Sequence, residues 1–85
     1  MRLDKYLKVS RLIKRRTVAG EACADGHVSV NGRPAKPGHD VKEHDIIEIS
    51  FGEKKLKVKI TEIKEHEKKA GAADMYEVIE NQEGK

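Results

Sequence analysis

The hydrophobic pattern changes period once along the chain, from helical to strand-like. Leu3, Leu7 and Ile13, with Tyr6 and Leu12 beside them, recur near the 3.6-residue spacing, which predicts an amphipathic helix within residues 2–14. Arg2, Lys5 and Lys8 follow at steps of three and give that helix a basic flank. Asp4 falls in its first turn, where a carboxylate favours the positive end of the helix dipole. Ser10 marks the place for a break near its end. A second helix is expected from Thr17, whose hydroxyl can cap the free amides of the next turn, with Val18, Ala19, Ala22 and Cys23 as a narrow stripe of small residues. Gly26 is placed to end it in the left-handed conformation.

After Gly26 the period falls to two. Val28 and Val30 alternate with Ser29, and Asn31-Gly32 is the strongest short hairpin signal, so a strand, a tight turn and a return through Arg33 to Lys36 are predicted. Asn31 tolerates positive φ and is read first as a turn residue. Pro37-Gly38 makes a second turn, and Asp45 to Phe51 reads as a strand more buried than its neighbours. Lys55 to Ile63 alternates strictly for nine positions, a half-solvated strand whose lysines face water. Residues 66–73 are expected to form a mobile loop or a short helical turn, Met75 to Ile79 a last strand, and 81–85 a disordered tail. Tyr6, Phe51 and Tyr76 all take core positions in this reading. The predicted fold class is α+β: two N-terminal helices packed on a small, mostly antiparallel sheet of about five strands.

Composition narrows the picture. An 85-residue chain with 36% hydrophobic and 39% charged residues has room for one domain with a small core, and not for a cleft between two lobes. No apolar run is long enough to span a bilayer, and the charged opening Met1-Arg2-Leu3-Asp4-Lys5 lacks the apolar stretch of a signal peptide, so a cytoplasmic protein with no membrane contact is expected. Cys23 is the sole cysteine; it cannot form an internal disulfide, and a buried core thiol is its expected state.

Charge changes the picture more. The total is only +3, but residues 1–16 hold Arg2, Lys5, Lys8, Arg11, Lys14, Arg15 and Arg16 against the single acid Asp4, a net +6, and the other 69 residues sum to −3. A block of one sign in an otherwise acidic chain marks a face for a polyanion, and nucleic acid is the first candidate. Each Lys or Arg that displaces a condensed counterion from a phosphate contributes entropy, and Arg adds a planar fork matched to phosphate oxygens.

Chemistry beyond binding is not indicated. His27, His39, His44 and His66 show no pair at the helical spacing of four and no accompanying Cys pair, so no metal is expected. Ser10, Ser29, Ser50 and Cys23 lack any motif that would bring a base and an oxyanion donor beside them, and no Gly-rich phosphate loop occurs. No catalytic residue and no cofactor are therefore expected. Three aromatics are too few for a base-stacking platform, so structured RNA read through backbone and shape is the better expectation.

The stretches Arg2-Leu3-Asp4-Lys5-Tyr6-Leu7, Arg16-Thr17-Val18-Ala19, Asp25 to Gly32, Lys36-Pro37-Gly38, Val41-Lys42 and Asp45 to Ile49 together resemble the S-four RNA-binding domain family, in that family's order and close to its spacing. The resemblance covers residues 2–50 and implies an S-four RNA-binding module at 1–50, with 51–80 as a strand-rich C-terminal extension of the same domain. Only about 35 residues follow the module, too few for the catalytic domains it accompanies elsewhere. The chain is most similar to the small free-standing members, of the ribosome quality-control and heat-shock types. The resemblance implies a non-enzymatic factor that binds large ribosomal subunits obstructed by peptidyl-tRNA. It also implies contact with rRNA and tRNA and support of C-terminal alanine tailing of stalled nascent chains, beside a tailing factor on the same subunit. The free protein is expected to be a monomer. The family's motif carries over onto Arg16 most directly, and the RNA-binding set it implies is Arg2, Lys5, Lys8, Arg11, Lys14, Arg15, Arg16 and Thr17, extended by His27 and Arg33 around the hairpin. Lys36, His39 and Lys42 are equally well read as ordinary exposed side chains. The other readings are a general rRNA-binding, ribosome-assembly or heat-shock module, and a targeting subunit of an RNA-modifying enzyme.

Overall fold

The computed structural model describes residues 1–63 and 75–82. Two helices, α1 (Leu3–Val9) and α2 (Arg16–Ala24), precede five strands: β1 (Val28–Val30), β2 (Arg33–Pro34), β3 (Ile46–Phe51), β4 (Lys54–Ile60) and β5 (Tyr76–Gln82). The strands form one antiparallel sheet in the order β2-β1-β3-β4-β5. This is the expected α+β arrangement. Val28, Val30, Ile47, Ile49, Val58 and Ile60 are buried on one sheet face together with Leu3, Tyr6 and Leu7 of α1 and Ala19 and Cys23 of α2. The small stripe on α2 lets the two helices approach closely, as its residue sizes require.

The first helix is shorter than its periodicity predicts. Instead of running to residue 14 it stops at Val9. The buried Ser10 hydroxyl donates to the Leu7 carbonyl at 3.3 Å, Arg11 turns left-handed at φ 63°, and the Ile13 amide reaches back to Leu7 O at 3.1 Å. Past that reversal Ile13 is still buried in the core. The second correction concerns Thr17. Helix α2 already starts at Arg16, after an extended Arg15, and no side chain caps it. The helix starts there because the Ala19 amide takes the Arg15 carbonyl at 3.0 Å, which places Thr17 inside the first turn, exposed.

The turns follow the sequence closely. Gly26, at φ 81°, ends α2 with paired bonds from Gly26 N to Cys23 O (3.1 Å) and His27 N to Ala22 O (2.9 Å). Asn31 and Gly32 both have positive φ, 53° and 85°, the geometry of a type I′ hairpin. The Asn31 side chain also accepts from the Ile46 amide (2.9 Å) and donates to Asp45 (3.1 Å), so it fastens the hairpin to the start of β3. The returning strand β2 is only Arg33–Pro34, although the Ala35 amide still bonds Val28 O at 3.1 Å.

Strand β4 ends at Ile60, three residues before the alternation does, and β5 begins at Tyr76 and runs through Gln82, two residues into the stretch expected as a tail. The expected loop at 66–73 and residues 83–85 lie outside the described residues. The sheet crosses residue 50 without interruption, since β3 spans it. Tyr6 is fully buried and its hydroxyl donates to Met75 O at 2.7 Å, tying the first helix to the start of the last strand. Phe51 corrects a third expectation: it is 46% exposed and not a core residue. It ends β3 beyond the reach of α1, whose seven residues span only about 10 Å.

Tyr6→Phe leaves the Met75 carbonyl without its buried donor. It is expected to destabilise the protein by about 1–2 kcal/mol, with Tm falling by roughly 4–8 °C per kcal/mol at this chain size, as read by thermal melting followed by circular dichroism. Cys23 is buried, and desolvation, helped by the Asp4 charge, pushes its thiol up to about 11. The native protein should therefore react slowly with a thiol reagent at pH 8, and rapidly once unfolded in urea.

Candidate nucleic-acid interface

The amino end of α1 is built into the 37–41 segment. Leu3 N donates to His39 O (2.8 Å), Asp4 N to Pro37 O (3.1 Å) and Val41 N to Met1 O (2.9 Å), and the Met1 ammonium bonds Asp40 at 2.7 Å. These bonds satisfy first-turn amides that a helix leaves open, and they hold the backbone of Arg2 in place.

Arg2 and Arg16 meet at Asp4. Asp4 Oδ1 accepts from Arg2 Nε at 3.2 Å and from the Lys5 amide at 2.8 Å, and Oδ2 accepts from Arg2 Nη2 at 3.4 Å and faces Arg16 Nε at 3.5 Å. The carboxylate side chain is 10% exposed, and those of Arg2 and Arg16 are 58% and 49% exposed. Burial opposes ionisation of Asp4, but the Arg2 hydrogen bond, the Lys5 amide and the charges of Arg16 and Arg2 prevail and hold it below the usual carboxylate range. Gly38 lies alongside the Arg2 guanidinium; a Cβ placed on it would stand 3.9 Å from Arg2 Cζ. Sequence reasoning assigned Asp4 only to the helix dipole. Its being the single acid in the basic block was the available signal.

The remaining basic residues of the block surround this pair along the chain. Lys5 and Lys8 lie on α1, Arg11 at its left-handed exit, Lys14 and Arg15 in the connection, and all but the half-buried Lys5 are exposed. Thr17 follows Arg16 in the first turn of α2. His27 is exposed but sits off the far end of α2, about 14 Å of helix away from Arg16, so it is not brought into this cluster. Arg33 lies on the outermost strand and lines a cleft of about 530 Å³ with Val30, Asn31, Pro34, Ala35 and His39. The Lys36–His39 turn, closed by His39 N to Lys36 O at 3.0 Å, connects that cleft to Gly38 and Arg2.

Two lysines of β4, Lys57 and Lys59, have acids as cross-strand neighbours. On the sheet face away from the helices, Lys57 stands between Glu48 of β3 and Glu80 of β5, and Lys59 is opposite Glu77. Cross-strand pairs of opposite charge neutralise each other locally, which sets these two lysines apart from the basic block at the helical end. Among the described residues, no three His, Cys, Asp or Glu side chains gather as a metal site, and no helix is long and apolar enough to cross a membrane.

Comparison with known proteins agrees with this architecture. The S4 domain model matches residues 1–47, more than half of the chain. A protein of Streptococcus pneumoniae named RQC P-site tRNA stabilizing factor is 58% identical over 79 residues, covering 93% of this chain and 90% of its own length. One of the same name from Bacillus subtilis is 49% identical over 82 residues, covering 96% and 95%. Among solved structures, the trimeric structure of Vibrio cholerae Heat Shock Protein 15 matches with a TM-score of 0.85 at 29% identity, over 92% of this chain and 80% of that one. From its helix pair, its sheet and these matches, the chain belongs to the S4 domain family.

Proposed function

We propose that this protein is a non-enzymatic RNA-binding factor of ribosome-associated quality control. It docks on large ribosomal subunits obstructed by peptidyl-tRNA, contacts rRNA and tRNA, and supports C-terminal alanine tailing of the stalled chain by a tailing factor on the same subunit. The observation that carries this reading is the near full-length identity to relatives named RQC P-site tRNA stabilizing factor. The site supports it physically: the exposed arginines Arg2 and Arg16 are held as a pair, with Lys5, Lys8, Arg11, Lys14 and Arg15 around them. Such a surface neutralises phosphates and positions RNA without bond-making chemistry. Arg33 and His27 would extend the interface beside the hairpin, and Thr17 beside Arg16. The protein would be a monomer when free and would work in the cytoplasm, associated with the ribosome.

The backbone likeness to Heat Shock Protein 15 favours a second reading, a general large-subunit or heat-shock module. Sedimentation with large subunits, with and without peptidyl-tRNA, separates the two: enrichment on obstructed subunits supports the quality-control reading, and equal binding to empty ones supports the general module.

Arg16→Ala is expected to weaken large-subunit binding far more than Lys59→Ala, since Arg16 lies in the basic cluster and Lys59 faces Glu77 across the sheet. Equal weakening would remove the site assignment. For every phosphate that a variant no longer neutralises, the slope of log K against log salt should also shrink in magnitude by roughly 0.7–0.9, read from a salt titration.

A further inference from the structure

A carboxylate inside a surface that binds a polyanion has the wrong sign: on charge alone, Asp4 weakens attraction to every phosphate nearby. It is also the only acid among the first sixteen residues. Its position turns this repulsion into an organising interaction. Both of its oxygens are occupied, and it lies beneath two arginines that remain about half exposed. Free arginine side chains lose much rotamer freedom when they dock on phosphate, and ordering them beforehand removes that cost from binding. Arg16 meets Asp4 through Nε, and a guanidinium engaged at Nε keeps its Nη1–Nη2 edge for a second anion. Arg2 is restrained from the backbone side as well, because its carbonyl accepts from Tyr6 N at 2.9 Å and the residue bridges to Asp40.

We infer that Asp4 is a positioning residue for RNA binding: its buried carboxylate aligns Arg2 and Arg16 so that their outward edges receive phosphates of the bound RNA together. The inference rests on the RNA-binding reading above and adds to it a residue that touches no RNA. It opposes a purely electrostatic account in sign. If Asp4 only contributes charge, its neutralisation strengthens binding to RNA; if it positions the arginines, its neutralisation weakens binding although the protein gains a positive charge.

The test measures the affinity of the full-length protein for purified large ribosomal subunits at fixed salt, with circular dichroism confirming that each variant is folded at the assay temperature. Asp4→Asn should bind about tenfold more weakly than the parent, the size of coupling typical of side chains that touch, with a shallower salt dependence. Unchanged or tighter binding would overturn the inference. Arg16→Lys preserves the charge and removes the Nε interaction; it should bind several-fold more weakly and decides the matter should Asp4→Asn not fold, with parental affinity overturning the proposal. In a background carrying Arg2→Ala and Arg16→Ala, Asp4→Asn should no longer weaken binding. The same tenfold weakening there would mean that Asp4 acts through the fold and not through the arginines. Weakened binding with Arg16→Ala but parental binding with Asp4→Asn would remove this inference alone, whereas full binding by Arg16→Ala would remove the interface reading and this inference together.

Discussion

The open amides at the start of α1 must find acceptors before that helix can pack, and they find them far along the chain, in the 37–41 segment. Leu3 N and Asp4 N take the carbonyls of His39 and Pro37, Val41 N returns to Met1 O, and the Lys5 amide takes the Asp4 side chain. A helix of seven residues is below the length that persists alone in water, so this attachment and the burial of Leu3, Tyr6 and Leu7 are what hold it. The same attachment sets Arg2 beside Gly38 and aims Asp4 at Arg16. Fold and candidate interface therefore share one set of bonds.

A small core dictates much of the rest. With a short α1 and an α2 of nine residues, the helices cover only part of the sheet, so Val58 and Ile60 are fully buried while Phe51 and Val78 stay about half exposed. Tyr6 compensates by being both a large buried side chain and a hydrogen-bond donor to Met75, which closes the sheet's far strand onto the first helix. The short edge strand β2 contains Pro34, which has no amide to offer a further strand, so that edge is poorly suited to intermolecular pairing.

Charge is sorted by surface. Lys57 and Lys59 of β4 lie opposite Glu48, Glu77 and Glu80 of the flanking strands and are locally balanced. The helical end carries the unbalanced block, with one acid placed beneath it. Among the described residues, the helical end is thus the surface with the largest local surplus of positive charge for a polyanion. The relatives named RQC P-site tRNA stabilizing factor are in keeping with such a surface, whose exposed basic side chains suit phosphate.

Much of this was legible in the sequence. The change of period after Gly26, the Asn31-Gly32 turn, the left-handed Gly26, the buried Cys23 and the basic block each depend on a residue and its neighbours within about four positions, and at that range the sequence by itself determines the outcome. Other features were settled only in three dimensions. Residues 10–14 continue a helical pattern, yet α1 ends at Val9, where the Ser10 hydroxyl bonds Leu7 O and Arg11 turns left-handed. Thr17 has capping chemistry, yet Arg15 takes the cap position because the helix starts one residue earlier. Phe51 ends a hydrophobic strand, yet lies past the helices that would cover it. The meeting of Arg2, Asp4 and Arg16 joins residues twelve to fourteen positions apart, and an ion pair at that separation depends on how two helices pack and on where the 37–41 segment anchors the first of them. Periodicity and turn chemistry are local and can be read along the chain, whereas the partners of a charged side chain are chosen by packing between elements, which only the tertiary structure decides.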